Sequence, residues 1–169
     1  MTPPSFLDDP VSIRAWCRLD DRLTTSGQPT EEQLKLLAAI GVSDVINLAL
    51  HSHEDALVDE AASVATLGMN YVHIPVDFAA PTDSDFDRFM AMLDDLHGRR
   101  VHVHCIVNAR VSAFFYRRAL VRGKDRAEAA ARLDSIWRPG GVWATFVGRS
   151  EDEALPHRFA GRDYAATAR

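Results

Sequence analysis

Apolar positions recur at helical spacing in several stretches of the 169-residue chain, and polar residues suited to capping introduce four of them. Thr30-Glu31-Glu32-Gln33 reads as a capping box ahead of Leu34, Leu37, Ala38 and Gly41, which share one face. Ser52-His53-Glu54-Asp55 opens a second stretch through Leu57, Ala61, Val64 and Ala65, stopping at Gly68. Thr82-Asp83-Ser84-Asp85 opens a third, with Phe86, Phe89, Met90 and Leu93 as its apolar stripe. Asp125-Arg126-Ala127-Glu128 opens a fourth, with Ala129, Leu133 and Ile136 before the break at Pro139-Gly140.

Between these lie short runs with strand character: Asp44 to Leu50, Asn70 to Val76 and Val101 to Cys105. Strands alternating with helices predict an α/β fold, with a mostly parallel central sheet flanked by helices. Val111 to Val121 is apolar around much of its circumference, which predicts a central, largely buried helix. From Gly148 the chain is polar, alanine-rich and without periodicity. The expected organisation is a single domain over residues 1–148 and a loosely ordered tail over 149–169.

Composition narrows the function classes. Hydrophobic content of 47% and charged content of 25% are ordinary globular values. A net charge of −5 argues against a broad nucleic-acid or membrane surface. No apolar run approaches the roughly 20 residues a membrane helix needs. The opening MTPPSFLDDPVSIRAW lacks a secretory pattern, so Cys17 and Cys105 are expected as free thiols and the protein as cytoplasmic.

The stretch VHVHCIVNARVSAF, Val101 to Phe114, carries the most chemistry. In an open α/β sheet, ligands bind beyond the carboxyl ends of the strands, and Cys105 stands at such an end. The following loop feeds a helix N-terminus, where unpaired N–H groups and the helix dipole favour an anion. The same field favours thiolate over thiol, moving a reference pKa of about 8.5 toward ~4–7. Arg110, in the first turn, offers a planar fork that fits two oxygens of a phosphate or sulfate. Asn108 tolerates the positive φ that a tight anion-binding nest requires. A cysteine at a strand end is more often a small core residue, but strand end, compact loop, arginine and helix together describe a nucleophilic oxyanion site.

These residues resemble the signature loop of the cysteine-dependent tyrosine and dual-specificity phosphatases, which reads His-Cys, five residues, Arg, then Ser or Thr. Here only Ile106, Val107, Asn108 and Ala109 separate Cys105 from Arg110. A bacterial branch of dual-specificity-like phosphatases, including domains fused to metallo-β-lactamase-like hydrolases, has the same shortened loop, with Gly where Asn108 stands. The resemblance runs from Leu23 to Trp137: Thr25 to Leu48 looks like that branch's opening strand, first helix and second strand. Asn70 to Phe89 looks like its third strand and acid-bearing loop. It implies Cys105 as nucleophile, Arg110 as phosphate clamp, and the backbone of Ile106, Val107, Asn108, Ala109 and Arg110 as the oxyanion cradle. It further implies that His104 orients the loop, and that no cofactor or metal is required. Val111 occupies the place of the family's hydroxyl residue, and Ser112, one position later, is the candidate substitute.

Asp77 is the candidate general acid, since it follows a strand end in a loop with Ala79, Ala80 and Pro81. Asp83 and Asp85 are rivals, but capping already accounts for them. An acid with a reference pKa of about 3.9 that must be protonated in the first step predicts a rate optimum below neutrality. The expected substrate is a phosphorylated protein or a small phosphomonoester, and oligomeric state is left open. Two other readings stay open. Rhodanese-type sulfurtransferases also carry Cys, four residues, Arg, but no acidic-glycine-histidine block precedes this cysteine. A catalytically weak phosphate-binding module would keep Arg110 and the nest without efficient turnover. The pairs His51/His53 and His102/His104 have the spacing of strand ligands, yet their contexts favour other roles.

Overall fold

The computed structural model describes residues 8–149. In chain order its elements are β1 (Cys17–Arg18), β2 (Leu23–Ser26), α1 (Glu31–Ala39), β3 (Asp44–Asn47), α2 (Glu60–Thr66), β4 (Asn70–His73), α3 (Asp83–Asp95), β5 (Val101–His104), α4 (Ala109–Val121), α5 (Arg126–Ile136) and α6 (Gly141–Val147). The strands form one sheet in the order β1-β2-β5-β3-β4. Only the β1–β2 pairing is antiparallel; β2–β5, β5–β3 and β3–β4 are parallel. This is the mixed, mostly parallel α/β sheet that the alternating pattern predicts.

Alternation along each strand divides the core between the two faces. On β3, Val45 joins Leu34 and Leu37 of α1, Val64 of α2 and Ile13 in one cluster. Its neighbour Ile46 joins the larger cluster, with Phe86 and Phe89 of α3, Phe114 of α4, Leu133 of α5 and Trp143 of α6. The central strand β5 is buried throughout. Its carboxyl end leads directly into a buried segment of chain.

Local chemistry sets the helix starts. Thr30 and Thr82 each form a reciprocal capping box, with Gln33 and Asp85 respectively, and Asp125 accepts the Glu128 N–H. The second helix differs from expectation: it starts at Glu60, capped by Asp59, and not at Ser52. The intervening chain makes short turns, because the His53 ring Nδ1 accepts the Asp55 N–H at 2.9 Å and the His53 carbonyl accepts from Ala56. A side chain that satisfies the backbone locally competes with helix formation.

The strands are also shorter than the apolar runs. β3 ends at Asn47, β4 at His73 and β5 at His104, although Leu48 N–H still reaches the His104 carbonyl and Val76 N–H reaches Leu48. α6 is an element that the periodicity did not disclose. The expected tail over 149–169 lies, apart from Arg149, outside the described residues.

Candidate active site

Cys105 is the first residue past β5, and Arg110 is the second residue of α4. Every residue from Cys105 to Arg110 is buried. The loop turns on Asn108, which caps α4 with φ 68° and ψ 9°, the left-handed region where asparagine is among the best tolerated non-glycine residues. Asn108 Nδ2 donates to the Ala15 carbonyl at 2.9 Å and to Thr25 Oγ1 at 3.1 Å. Ala15, with φ 52°, is the only other non-glycine residue of positive φ among those described. The two strained positions are thus tied to each other.

The first half of the loop is held from two directions. The Ile106 carbonyl accepts the Gln28 N–H at 3.0 Å and Arg14 Nη1 at 3.3 Å, and Arg14 also pairs with Asp55 at 3.2 Å. Gly27 lies so close to this carbonyl that an added Cβ would collide with the Ile106 oxygen. Glycine is required there by close approach, since its own φ is unexceptional.

Next to Cys105, His104 Nε2 meets Glu60 Oε2 at 2.6 Å, and His104 Nδ1 meets the Cys105 carbonyl at 3.1 Å. Glu60 Oε1 accepts Gln28 Nε2 at 2.8 Å. Burial pushes the Glu60 carboxyl up, but His104, Gln28 and His51 outweigh it and leave the group below its ordinary value. Glu60 and the Cys105 carbonyl hold the ring from its two nitrogen-bearing sides. The imidazole is thereby locked in orientation behind Cys105.

His102, two residues earlier, is held differently. Ser26 Oγ spends its proton on the Gly27 carbonyl at 2.7 Å, so at 2.8 Å it accepts from His102 Nε2. That leaves Nδ1 to accept from Thr24 Oγ1 at 2.8 Å. Burial first, and then His104, hold His102 well below its ordinary pKa, and Trp16 stacks on the ring at 5.4 Å. His102 is a neutral structural residue.

Over Arg110 lies the ring of Phe78, with the guanidinium carbon 5.5 Å from its centroid. Phe78 follows Asp77, whose exposed carboxylate accepts the Ala79 N–H at 2.9 Å. The Phe78 carbonyl accepts Trp143 Nε1 at 2.7 Å, and its ring packs against both Trp137 and Trp143. The segment carrying Asp77 is therefore anchored by α6. The rival carboxylates are engaged elsewhere: Asp83 pairs with Arg117 at 2.9 Å, and Asp85 completes its capping box. Val111 is fully buried in the larger core cluster. Ser112 Oγ donates back to the Ala109 carbonyl at 3.1 Å.

The histidine pairs do not converge. His51 stacks on His73 at 3.7 Å, while His53 closes its turn. Among the described residues, no group of three or more His, Cys, Asp or Glu side chains is placed to hold a metal ion. Arg14, Gly27, Gln28 and Glu60 were not singled out from the sequence. Gly27-Gln28 directly after a strand was a readable turn signal; nothing local marked Glu60.

Residues 16–138 match a family model described as DSP-PTPase phosphatase fused to NAD+ kinase. A DUF442 protein of Shewanella putrefaciens CN-32, a phosphatase candidate solved at 1.40 Å resolution, is 36% identical over 85% of this chain and 95% of its own, with a TM-score of 0.76. The core catalytic domain of the PP-IP phosphatase SIW14 from S. cerevisiae, solved with citrate, has a TM-score of 0.69 at 8% identity, covering 83% of this chain and 88% of its own. A Cys-to-Ser form of P. aeruginosa TpbA, solved with phosphotyrosine, has a TM-score of 0.59 at 18% identity, covering 83% and 78%. No curated protein matches. The likeness favours phosphatases over the sulfurtransferase reading.

Proposed function

Since the chain belongs to the dual-specificity-type phosphatase family described as DSP-PTPase phosphatase fused to NAD+ kinase, we propose that it hydrolyses a phosphomonoester through a cysteinyl-phosphate intermediate. The observation that carries the reading is the loop itself. Cys105 at the end of β5 and Arg110 in the first turn of α4 bracket a tight turn made at Asn108.

In the first step Cys105 Sγ attacks phosphorus and the phosphorus–oxygen ester bond breaks. Arg110 and the loop amides hold the equatorial oxygens, and Asp77 gives its proton to the leaving oxygen. In the second step water attacks the cysteinyl phosphate, Asp77 takes the water's proton, and the sulfur–phosphorus bond breaks to restore the thiolate. His104, fixed between Glu60 and the Cys105 carbonyl, keeps the nucleophile's backbone in place. The substrate is a phosphorylated one. The TpbA–phosphotyrosine complex supports an aryl phosphate as the probe, with phosphorylated protein or small phosphomonoester as the natural class.

The test is phosphate release from p-nitrophenyl phosphate by wild type and by Cys105→Ser. Loss of roughly 10³-fold or more in Cys105→Ser is the expected result. With an alkyl phosphate, whose leaving oxygen must be protonated, the rate should decline on the alkaline side, where the acid has lost its proton. Ser112 Oγ bonding within its own helix favours a second reading, slow turnover with phosphate retention. No release, together with phosphate binding that Arg110→Ala abolishes, would replace the enzyme by a binding module.

A further inference from the structure

Asn108 faces more than the phosphate loop: it also lines a cavity of about 370 Å³ between the β1–β2 hairpin, α4 and α5. That size suits a small organic molecule, since ligand cavities run from roughly 300 to 1,000 Å³. Asn108 is 1% exposed, and its Oδ1 has no hydrogen-bond partner among the described residues. The amide orientation is fixed chemically. The Ala15 carbonyl can only accept, so Nδ2 must face it and Oδ1 must point elsewhere.

The lining is layered. Leu23, Phe115, Leu133 and Ile136 supply apolar wall, and Arg118, Arg122, Lys124 and Arg132 supply cationic groups. None of these four cations forms an ion pair with a carboxylate among the described residues. Three carboxylates, Asp20, Asp125 and Glu128, also line the cavity, and two of them accept backbone hydrogen bonds. Asp20 accepts the Arg22 and Leu23 N–H groups at 2.8 and 2.7 Å, and Asp125 caps α5. Half-buried Arg118 is held below its ordinary pKa by burial, and then by the neighbouring Arg122 charge, with Asp20 and Asp94 opposing in part. An arginine desolvated beside another arginine is a place where an anion gains most.

We propose that this cavity is a second ligand site, taking a small organic anion with an apolar or aromatic body. Its acidic group meets Arg118 and the neighbouring cations, and its body lies against the apolar wall. Because Asn108 makes the turn of the Cys105–Arg110 loop, occupancy is coupled to phosphate binding there. That coupling, though not the site, rests on the function proposed above.

The test uses the full chain and 8-anilinonaphthalene-1-sulfonate, an aromatic body bearing one anionic group. Wild type should show saturable, one-to-one fluorescence binding. Ala129→Phe, which fills the cavity from α5, should weaken it at least tenfold, and Arg118→Ala severalfold. Circular dichroism checks that Ala129→Phe folds; if it does not, Arg118→Ala decides alone. Non-saturable binding, or binding that the folded variants leave unchanged, overturns the site. Saturating inorganic phosphate should shift the probe's dissociation constant. A constant that does not shift, with the probe still bound, overturns the coupling, whereas failure of the phosphatase reading appears separately as phosphate release that Cys105→Ser leaves intact.

Discussion

Asn108 holds left-handed backbone that a residue with a Cβ and no local compensation adopts only at a cost of roughly 1–2 kcal/mol. Its amide also bonds Ala15 and Thr25, so conformation and anchoring can be separated. Asn108→Gly keeps the turn and loses the anchors, for an expected loss of about 1 kcal/mol. Asn108→Ala loses both, for about 2–3 kcal/mol, which urea unfolding of the two variants would resolve. His102 supplies a second residue-scale expectation. The unfolded chain binds a proton near the ordinary value of 6.5, and the folded chain refuses it until the pH is much lower. Its contribution is therefore complete above that value and lost as pH falls below it, by up to about 1.4 kcal/mol per pH unit. Half-buried His73, also lowered by burial, adds in the same direction. Urea midpoints should drop between about pH 7.5 and about pH 5.5, and His102→Asn should flatten the slope.

Elements were legible where their signals were local. Thr30, Thr82 and Asp125 start helices because a side chain three residues from its N–H partner needs no tertiary help. Ser52 carried the same pattern and failed, because His53 gave the backbone a competing partner. The Cys105–Arg110 loop was readable for a related reason: strand end, loop and helix start are contiguous in sequence. Its supports were not, since Glu60 lies 44 residues from His104 and Arg14 lies 92 residues from Ile106. α6 was hidden because its meaning is tertiary, in the Trp143 side chain that holds the Phe78 carbonyl. Trp143→Phe keeps the packing and removes that hydrogen bond. If the bond positions Asp77, turnover of a poor leaving group such as an alkyl phosphate should fall about tenfold, with p-nitrophenyl phosphate nearly unaffected, because only the former needs its leaving oxygen protonated. An equal loss on both substrates would indicate general destabilisation instead.

At the scale of the whole molecule, the sheet order places β5 between β2 and β3, so the loop after it is gripped by segments far away in the chain. Asn108 bonds Ala15 across 93 positions and Thr25 across 83. Contacts of such separation form only after a long stretch of chain has been closed, which makes them late events in folding. A partly folded copy thus carries Cys105 as an ordinary thiol with no turn at Asn108 to organise the amides around it. On the proposed mechanism, chemical competence arrives with the last tertiary contacts and not with synthesis of the motif. The reactivity of that single sulfur, followed during refolding, becomes a clock for completion of the fold.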